Sequence, residues 1–115
     1  MKTPSPLTGR ALPVAVARYV EAELTHDLTL IPDCFTPDAS VFDEAKDHHG
    51  LAAIIAWKTE TAAKYQYSFV LLEAVVDLPE VKLKAQVTGN FPGSPVVLDY
   101  AFKMANGKIG SLSIS

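Results

Sequence analysis

The stretch that most constrains the fold is Val81–Thr88, where Val81, Leu83, Ala85 and Val87 alternate with Lys82, Lys84, Gln86 and Thr88. Period-two alternation commits these residues to a half-buried strand, with one face on a core and the other in water. The pattern has neighbours on both sides. Before it, Tyr65–Val76 sets Tyr65, Tyr67, Phe69 and Leu71 against Gln66, Ser68, Val70 and Leu72. After it, within Val96–Met104, Leu98, Tyr100, Phe102 and Met104 form an apolar face opposite Asp99, Ala101 and Lys103. Asn106-Gly107 is a two-residue hairpin signal, because such a turn requires positive φ, and Lys108–Ser115 supplies a last strand.

The first half of the sequence has a different period. Pro13 suits the first turn of a helix, where its missing N–H costs nothing. Val16, Tyr19, Val20 and Leu24 then recur at helical spacing over Val14–Leu24. His26-Asp27 ends that helix, and Asp27 can cap a short second helix over Leu28–Cys34, with Pro32 in its first turn. Phe35-Thr36-Pro37-Asp38 reads as a turn. Ala39–Asp43 reads as a short strand, Asp43–Asp47 as a polar connection and Asp47-His48-His49 as a second short strand. Gly50 opens a third helix from Leu51 to about Ala63, with Leu51, Ile54, Ile55 and Trp57 as its bulky residues. This order predicts an α+β fold with helices on one face of an antiparallel sheet. A strongly curved sheet wrapped by three helices makes a cone, and its wide end is a natural ligand cavity.

At 115 residues the chain is read as one domain over residues 12–115, preceded by a flexible lead-in over residues 1–11. A net charge of −3 with no Lys/Arg cluster argues against nucleic acid as a partner. The single cysteine, Cys34, permits no intrachain disulfide and reads as a small buried hydrophobe. Met1–Arg10 has no apolar run of the kind a signal peptide needs, and no apolar stretch approaches the ~18 residues that span a bilayer. The expectation is a soluble cytoplasmic protein without a membrane partner.

Ala39, Val41 and Asp43 share one face of the first strand, so Asp43 points the same way as Val41. A carboxylate partly desolvated by Val41, Trp57 and aromatic neighbours is raised toward the range useful to a base. The competing reading is a solvated rim carboxylate, since Glu44 and Asp47 follow closely. Trp57, the only tryptophan, is either a pocket wall or a core anchor. His48 and His49 cannot both enter one site, because adjacent strand residues face opposite ways; His49 is placed with the pocket. His26 lies at a helix C-terminus, where the dipole favours imidazolium, and no second histidine has ligand spacing, so neither a metal nor a cofactor is expected. Lys82, Lys84, Gln86 and Thr88 form either a solvated sheet face or a dimer interface. Phe91-Pro92-Gly93-Ser94-Pro95 reads as a rigid loop that shapes the cone or the dimer rim.

Arg18-Tyr19-Val20, His26-Asp27, Phe35–Asp43, Gly89–Pro95 and the alternating Leu98, Tyr100, Phe102 and Met104, in this element order, resemble the SnoaL-like branch of the nuclear transport factor 2-like superfamily, which also holds ketosteroid isomerase. The likeness runs from about Leu12 to Ser115. It implies a cone-shaped α+β barrel, a general base at Asp43 and an oxyanion-holding tyrosine at Tyr19. An ungapped comparison puts the isomerase's third group, a protonated aspartate, on Asp99. Strand parity instead puts Tyr100 on the apolar face, where a tyrosine hydroxyl could also donate to an oxyanion; both assignments stay open here. Around Asp43, Tyr19 and Tyr100 the expected pocket comprises Val16, Val41, Trp57, Tyr67, Phe69, Phe102 and His49. The fold hosts many chemistries, so two functions are expected. One is a cofactor-independent isomerase or polyketide cyclase-like enzyme acting on an apolar steroid- or polyketide-like carbonyl compound. The other is a non-catalytic ligand-binding or accessory module. The partner is a small apolar or aromatic molecule, and the resemblance adds a homodimer through the outer sheet face.

Overall fold

The computed structural model describes residues 12–115; the lead-in expected over residues 1–11 lies outside them. Helix α1 (Val14–Thr25) is followed by a 3-10 helix (Leu28–Asp33), strands β1 (Phe35–Asp43) and β2 (Lys46–His49), helix α2 (Leu51–Tyr65) and strands β3 (Ser68–Asp77), β4 (Glu80–Thr88), β5 (Val96–Ala105) and β6 (Lys108–Ile114). The six strands form one sheet in the order β2-β1-β6-β5-β4-β3. All neighbours are antiparallel except β1 and β6, which run parallel. The sheet is therefore mixed, where the hairpin pattern alone predicts an antiparallel one: the last strand closes against the first rather than against its sequence neighbours only. The sheet is curved and unclosed, and the helices pack on it to make an α+β cone.

Irregularities in three strands bend the sheet. On β1, Phe35 pairs with Ile109 but Ser40 already pairs with Ser111, so Thr36-Pro37-Asp38 bulge out of the ladder. Local turn chemistry puts these residues in a turn before the strand; in the structure they belong to the strand, because a bulge tolerates a proline that cannot donate to the ladder. On β3, Leu72 is the extra residue between the pairs Leu71–Ala85 and Glu73–Lys84. The inward face accordingly switches from Tyr67, Phe69 and Leu71 to Ala74 and Val76. On β6, Gly110 is extra between the partners of Lys103 and Met104.

Other boundaries moved for local reasons. The second helix is a 3-10 helix with Asp27 accepting from the Thr29 backbone N–H. Pro32 lies fifth of its six residues, outside the first turn, and a segment with i→i+3 bonds this short loses little to it. Helix α2 runs on through Tyr65 and ends where Gln66 turns left-handed at φ 47°, so β3 begins at Ser68 rather than Tyr65. Asn106 and Gly107 take φ of 53° and 77°, as the β5–β6 hairpin requires.

The core lies between the helices and the concave face of the sheet. Tyr19 sits edge-on to Phe35 and Phe102 at 6.2 and 5.5 Å between ring centroids, beside buried Ile31, Val41, Val81, Ile109 and Leu112. Cys34 is buried there, and burial pushes its thiol up to about 11. At the wide end, the Asn90 N–H donates to the Tyr65 carbonyl at 2.8 Å. Gly89 lies so close that a Cβ there would stand 2.8 Å from the Tyr65 carbonyl oxygen and 2.9 Å from the Tyr67 Cβ. Gly89→Ala is thus expected to destabilise the protein by about 1–3 kcal/mol, measured by urea unfolding, because backbone rather than a flexible side chain must give way.

Candidate functional site

The cone opens into a cavity of about 430 Å³, within the size range of small-molecule sites. Its walls come from the inward faces of the strand ends. Asp43 is the last residue of β1, Val87 is near the end of β4, Val96, Leu98 and Tyr100 begin β5, and Ile114 ends β6. Helix α2 contributes Trp57, Lys58, Thr61 and Tyr65, and α1 contributes Glu23. Phe91 and Pro92, from the rigid loop, stand at the mouth, with Phe91 edge-on to Tyr65 at 5.6 Å.

Asp43 is half-buried. Its Oδ2 accepts from the indole N–H of Trp57 at 3.0 Å. Loss of water around the carboxyl raises its pKa and the negative charge of adjacent Glu44 adds to the rise; the Trp57 bond, the positive Lys58 and a hydrogen bond from the Glu44 backbone pull the other way. Glu44 itself occupies the β1–β2 turn at φ 52° and accepts from the Tyr65 hydroxyl at 2.6 Å. Tyr100, on the same cavity, is only 4% exposed. Burial, then the negative charges of Glu23 and Asp43, drive its hydroxyl far above the ordinary phenol range, so it stays protonated. Among the described residues this hydroxyl has no hydrogen-bond partner, which leaves its proton available to a ligand. Phe69 braces the Tyr100 ring edge-on at 5.7 Å, and Phe102 stacks on it at 6.5 Å.

A second polar group forms the floor. Glu23 is 2% exposed on the buried stripe of α1. Its Oε2 accepts from the Tyr19 hydroxyl at 2.8 Å and from Lys58 Nζ at 2.7 Å, and its Oε1 accepts from the Tyr67 hydroxyl. Burial, followed by the Glu23 charge, raises both tyrosines.

Of the residues expected to form the site, Asp43, Trp57, Tyr67 and Tyr100 are brought together on the cavity wall. Tyr19 is not: it is fully buried beneath the floor and its hydroxyl is spent on Glu23. Val16, Val41, Phe69 and Phe102 are likewise core residues behind or below the wall. They lie on the inward faces, but the cone narrows over them and they meet one another rather than the cavity. His49 faces away, because its register partner is Ser40 on the outer face of β1, whose Oγ pairs with its Nδ1 at 2.8 Å. His48, opposite Val41, instead lies against Trp57 at 5.9 Å between ring centroids. Asp99 is exposed and pairs with Lys84 on the outer face at 3.2 Å, so Tyr100 occupies the inward position. Glu23 and Lys58 were missed, although each had a signal: Val16, Tyr19, Val20, Glu23 and Ile54, Trp57, Lys58, Thr61 both run at i, i+3, i+4, i+7. Among the described residues no three metal-ligating side chains converge, and no helix is long and apolar enough to cross a membrane.

The comparisons agree with this architecture. The family model described as SnoaL-like domain matches residues 16–111. A provisionally assigned polyketide cyclase from Sinorhizobium meliloti is 36% identical, with 95% of this chain and 100% of that one covered and a TM-score of 0.90. A provisionally assigned SnoaL-like polyketide cyclase from Jannaschia sp. CCS1 is 16% identical over 100% of this chain and 90% of its own, at a TM-score of 0.74. A protein of ketosteroid isomerase-like fold from Catenulispora acidiphila, solved in complex with trimethylamine, is 19% identical over 90% and 85%, at 0.76. No curated protein matches the sequence.

The raised Asp43 carboxyl has a consequence for stability. The fold favours the protonated group, so its contribution is full below the unfolded aspartate pKa and is lost as pH rises through the folded one. Asp43→Asn should therefore raise the melting temperature at neutral pH, and the gain should fade as pH falls through the raised folded pKa and be gone below the ordinary aspartate range.

Proposed function

The chain belongs to the SnoaL-like domain family, and we propose that it is a cofactor-independent isomerase or cyclase acting on a small apolar carbonyl compound, with Asp43 as general base and Tyr100 as oxyanion donor. One observation carries this reading: an incompletely coordinated, partly desolvated carboxylate and an unpartnered tyrosine hydroxyl line the same mostly apolar cavity. The Asp43 carboxylate removes a proton from carbon next to the carbonyl. The C–H electron pair becomes the enolate double bond, and the carbonyl oxygen takes the charge while accepting from Tyr100. Asp43 then returns the proton to another carbon, which shifts a double bond, or the enolate carbon attacks a second carbonyl of the same molecule, which closes a ring, and Asp43 gives its proton to the alkoxide so formed. A base raised by desolvation is better matched to weakly acidic C–H groups near neutral pH than a fully solvated aspartate.

The alternative is a binding module that holds the same ligand without turning it over. It is favoured by the Trp57 N–H already engaging one Asp43 oxygen, which suits an orienting role. We also place a second copy of the chain on the outer sheet face. There exposed Val70 and Val97 flank Gln86 in one row across β3, β4 and β5.

Deuterium exchange at the acidic carbon of a β,γ-unsaturated cyclic ketone, followed by NMR, separates the two functions. Catalysed exchange that falls about 10²–10⁴-fold in Asp43→Asn and about 10²–10³-fold in Tyr100→Phe is the result expected of an enzyme. Binding without exchange identifies the module. A ketone that neither binds nor exchanges, across a range of ring sizes, contradicts both.

A further inference from the structure

The Glu23–Lys58 pair is more than a clamp between two helices. A lysine ammonium has three N–H donors. One is used, on Glu23 Oε2 at 2.7 Å. No second oxygen acceptor lies within hydrogen-bond reach among the described residues. The rings of Trp57, Tyr67 and Tyr19 surround Nζ at 4.8, 5.1 and 5.6 Å. These faces keep water off the charge and leave its remaining donors without a partner of comparable strength. Lys58 is 5% exposed, and it lines the same cavity as Asp43 and Tyr100. Glu23, by contrast, has both oxygens engaged by Tyr19, Tyr67 and Lys58.

Resting on the function proposed above, we infer that Lys58 is a further catalytic residue, whose ammonium holds the negative charge that forms on the bound carbonyl oxygen, with Glu23, Tyr19 and Tyr67 as positioning residues that aim it. The substrate is then an enolisable carbonyl compound whose oxygen lies toward the floor and whose acidic carbon lies toward Asp43. The charges balance. Before transfer the negative charge is on Asp43; afterwards Asp43 is neutral and the charge has moved with the electron pair onto the oxygen beside Lys58. Little water competes there, so the attraction is stronger than at the surface. The titratable groups against Lys58 are Glu23 and Tyr19 from α1 and Tyr67 at the entrance to β3; Asp43 from β1 feels its charge, and Tyr100 from β5, Glu44 and Tyr65 line the same cavity.

Para-nitrophenol, whose anion absorbs visible light, and its neutral methyl ether para-nitroanisole are suitable probes. They would be bound to Asp43→Asn, which imitates the state after proton transfer. They would also be bound to the same protein carrying Lys58→Met and Glu23→Gln, the second change avoiding an unpaired buried carboxylate. The expected result is that Asp43→Asn binds the phenolate about tenfold or more in preference to the neutral phenol. The neutralised variant loses that preference while para-nitroanisole binds both proteins equally. An anion preference that survives loss of Lys58 overturns the inference and leaves the cavity reading intact. Failure of both probes to bind overturns the cavity reading and the inference with it. Should the triple variant not fold, the Lys58 ammonium resonance in Asp43→Asn must still shift on adding para-nitrophenolate but not para-nitroanisole; an unmoved resonance refutes the role.

Discussion

One buried carboxylate organises the wide end of the cone. Glu23 receives donors from its own helix, from α2 and from the residue that leads into β3. It thereby fixes the crossing of the two helices and the edge of the sheet at a single point. Burying an ion pair gives little net stability, since desolvation offsets the attraction; removing one partner, however, costs about 3–5 kcal/mol because a charge is left stranded. The pair therefore acts as a constraint. It permits α2 to pack in only the register that puts Trp57, Lys58, Thr61 and Tyr65 on the cavity.

Asp43 has the opposite environment. It stands at the end of a strand, with one indole N–H as its side-chain partner and part of its surface open to the cavity. Two carboxylates in one small space thus receive different coordination: one is saturated and structural, the other is incompletely held and able to exchange a proton. The base role proposed for Asp43 rests on this difference of environment. The strand end is also where a small displacement is tolerated, because the bulges that curve the sheet have already interrupted the ladder on β1, β3 and β6.

The alternation in β4 and β5, the Asn106-Gly107 turn and the helical spacing of Val16, Tyr19 and Val20 made the α+β architecture legible, because each reflects a period imposed by burial on one face. Parity within β5 favoured Tyr100 over Asp99 without deciding between them, because the family comparison pointed to Asp99; the exposed Asp99–Lys84 pair on the outer face decides it. The Thr36-Pro37-Asp38 bulge and the parallel pairing of β1 with β6 were not legible, since local turn chemistry carries no information about a partner some seventy residues away. The cavity boundary was not legible either. Face parity separates inward from outward, but Phe69 and Phe102 are as inward as Tyr67 and Tyr100; only the taper of the cone decides which of them meets the opening. The helix stripe hid the floor for a different reason. Leu24 continues the apolar pattern by composition yet is 54% exposed, whereas Glu23 takes the buried position. A charged residue on an apolar stripe reads as an error in the pattern until an opposite charge is found on the buried stripe of another helix, as Lys58 is.

The most direct test of the account is the titration of the Asp43 carboxyl by carbon-13 NMR, with and without a cavity-filling phenol. A partly desolvated base at Asp43 requires a pKa above the ordinary aspartate range in the free protein, together with quenching or a shift of Trp57 fluorescence as the phenol binds and perturbs the same carboxyl. An Asp43 that titrates as a solvated aspartate and does not respond to the phenol would contradict this role, and would leave the cavity without a base.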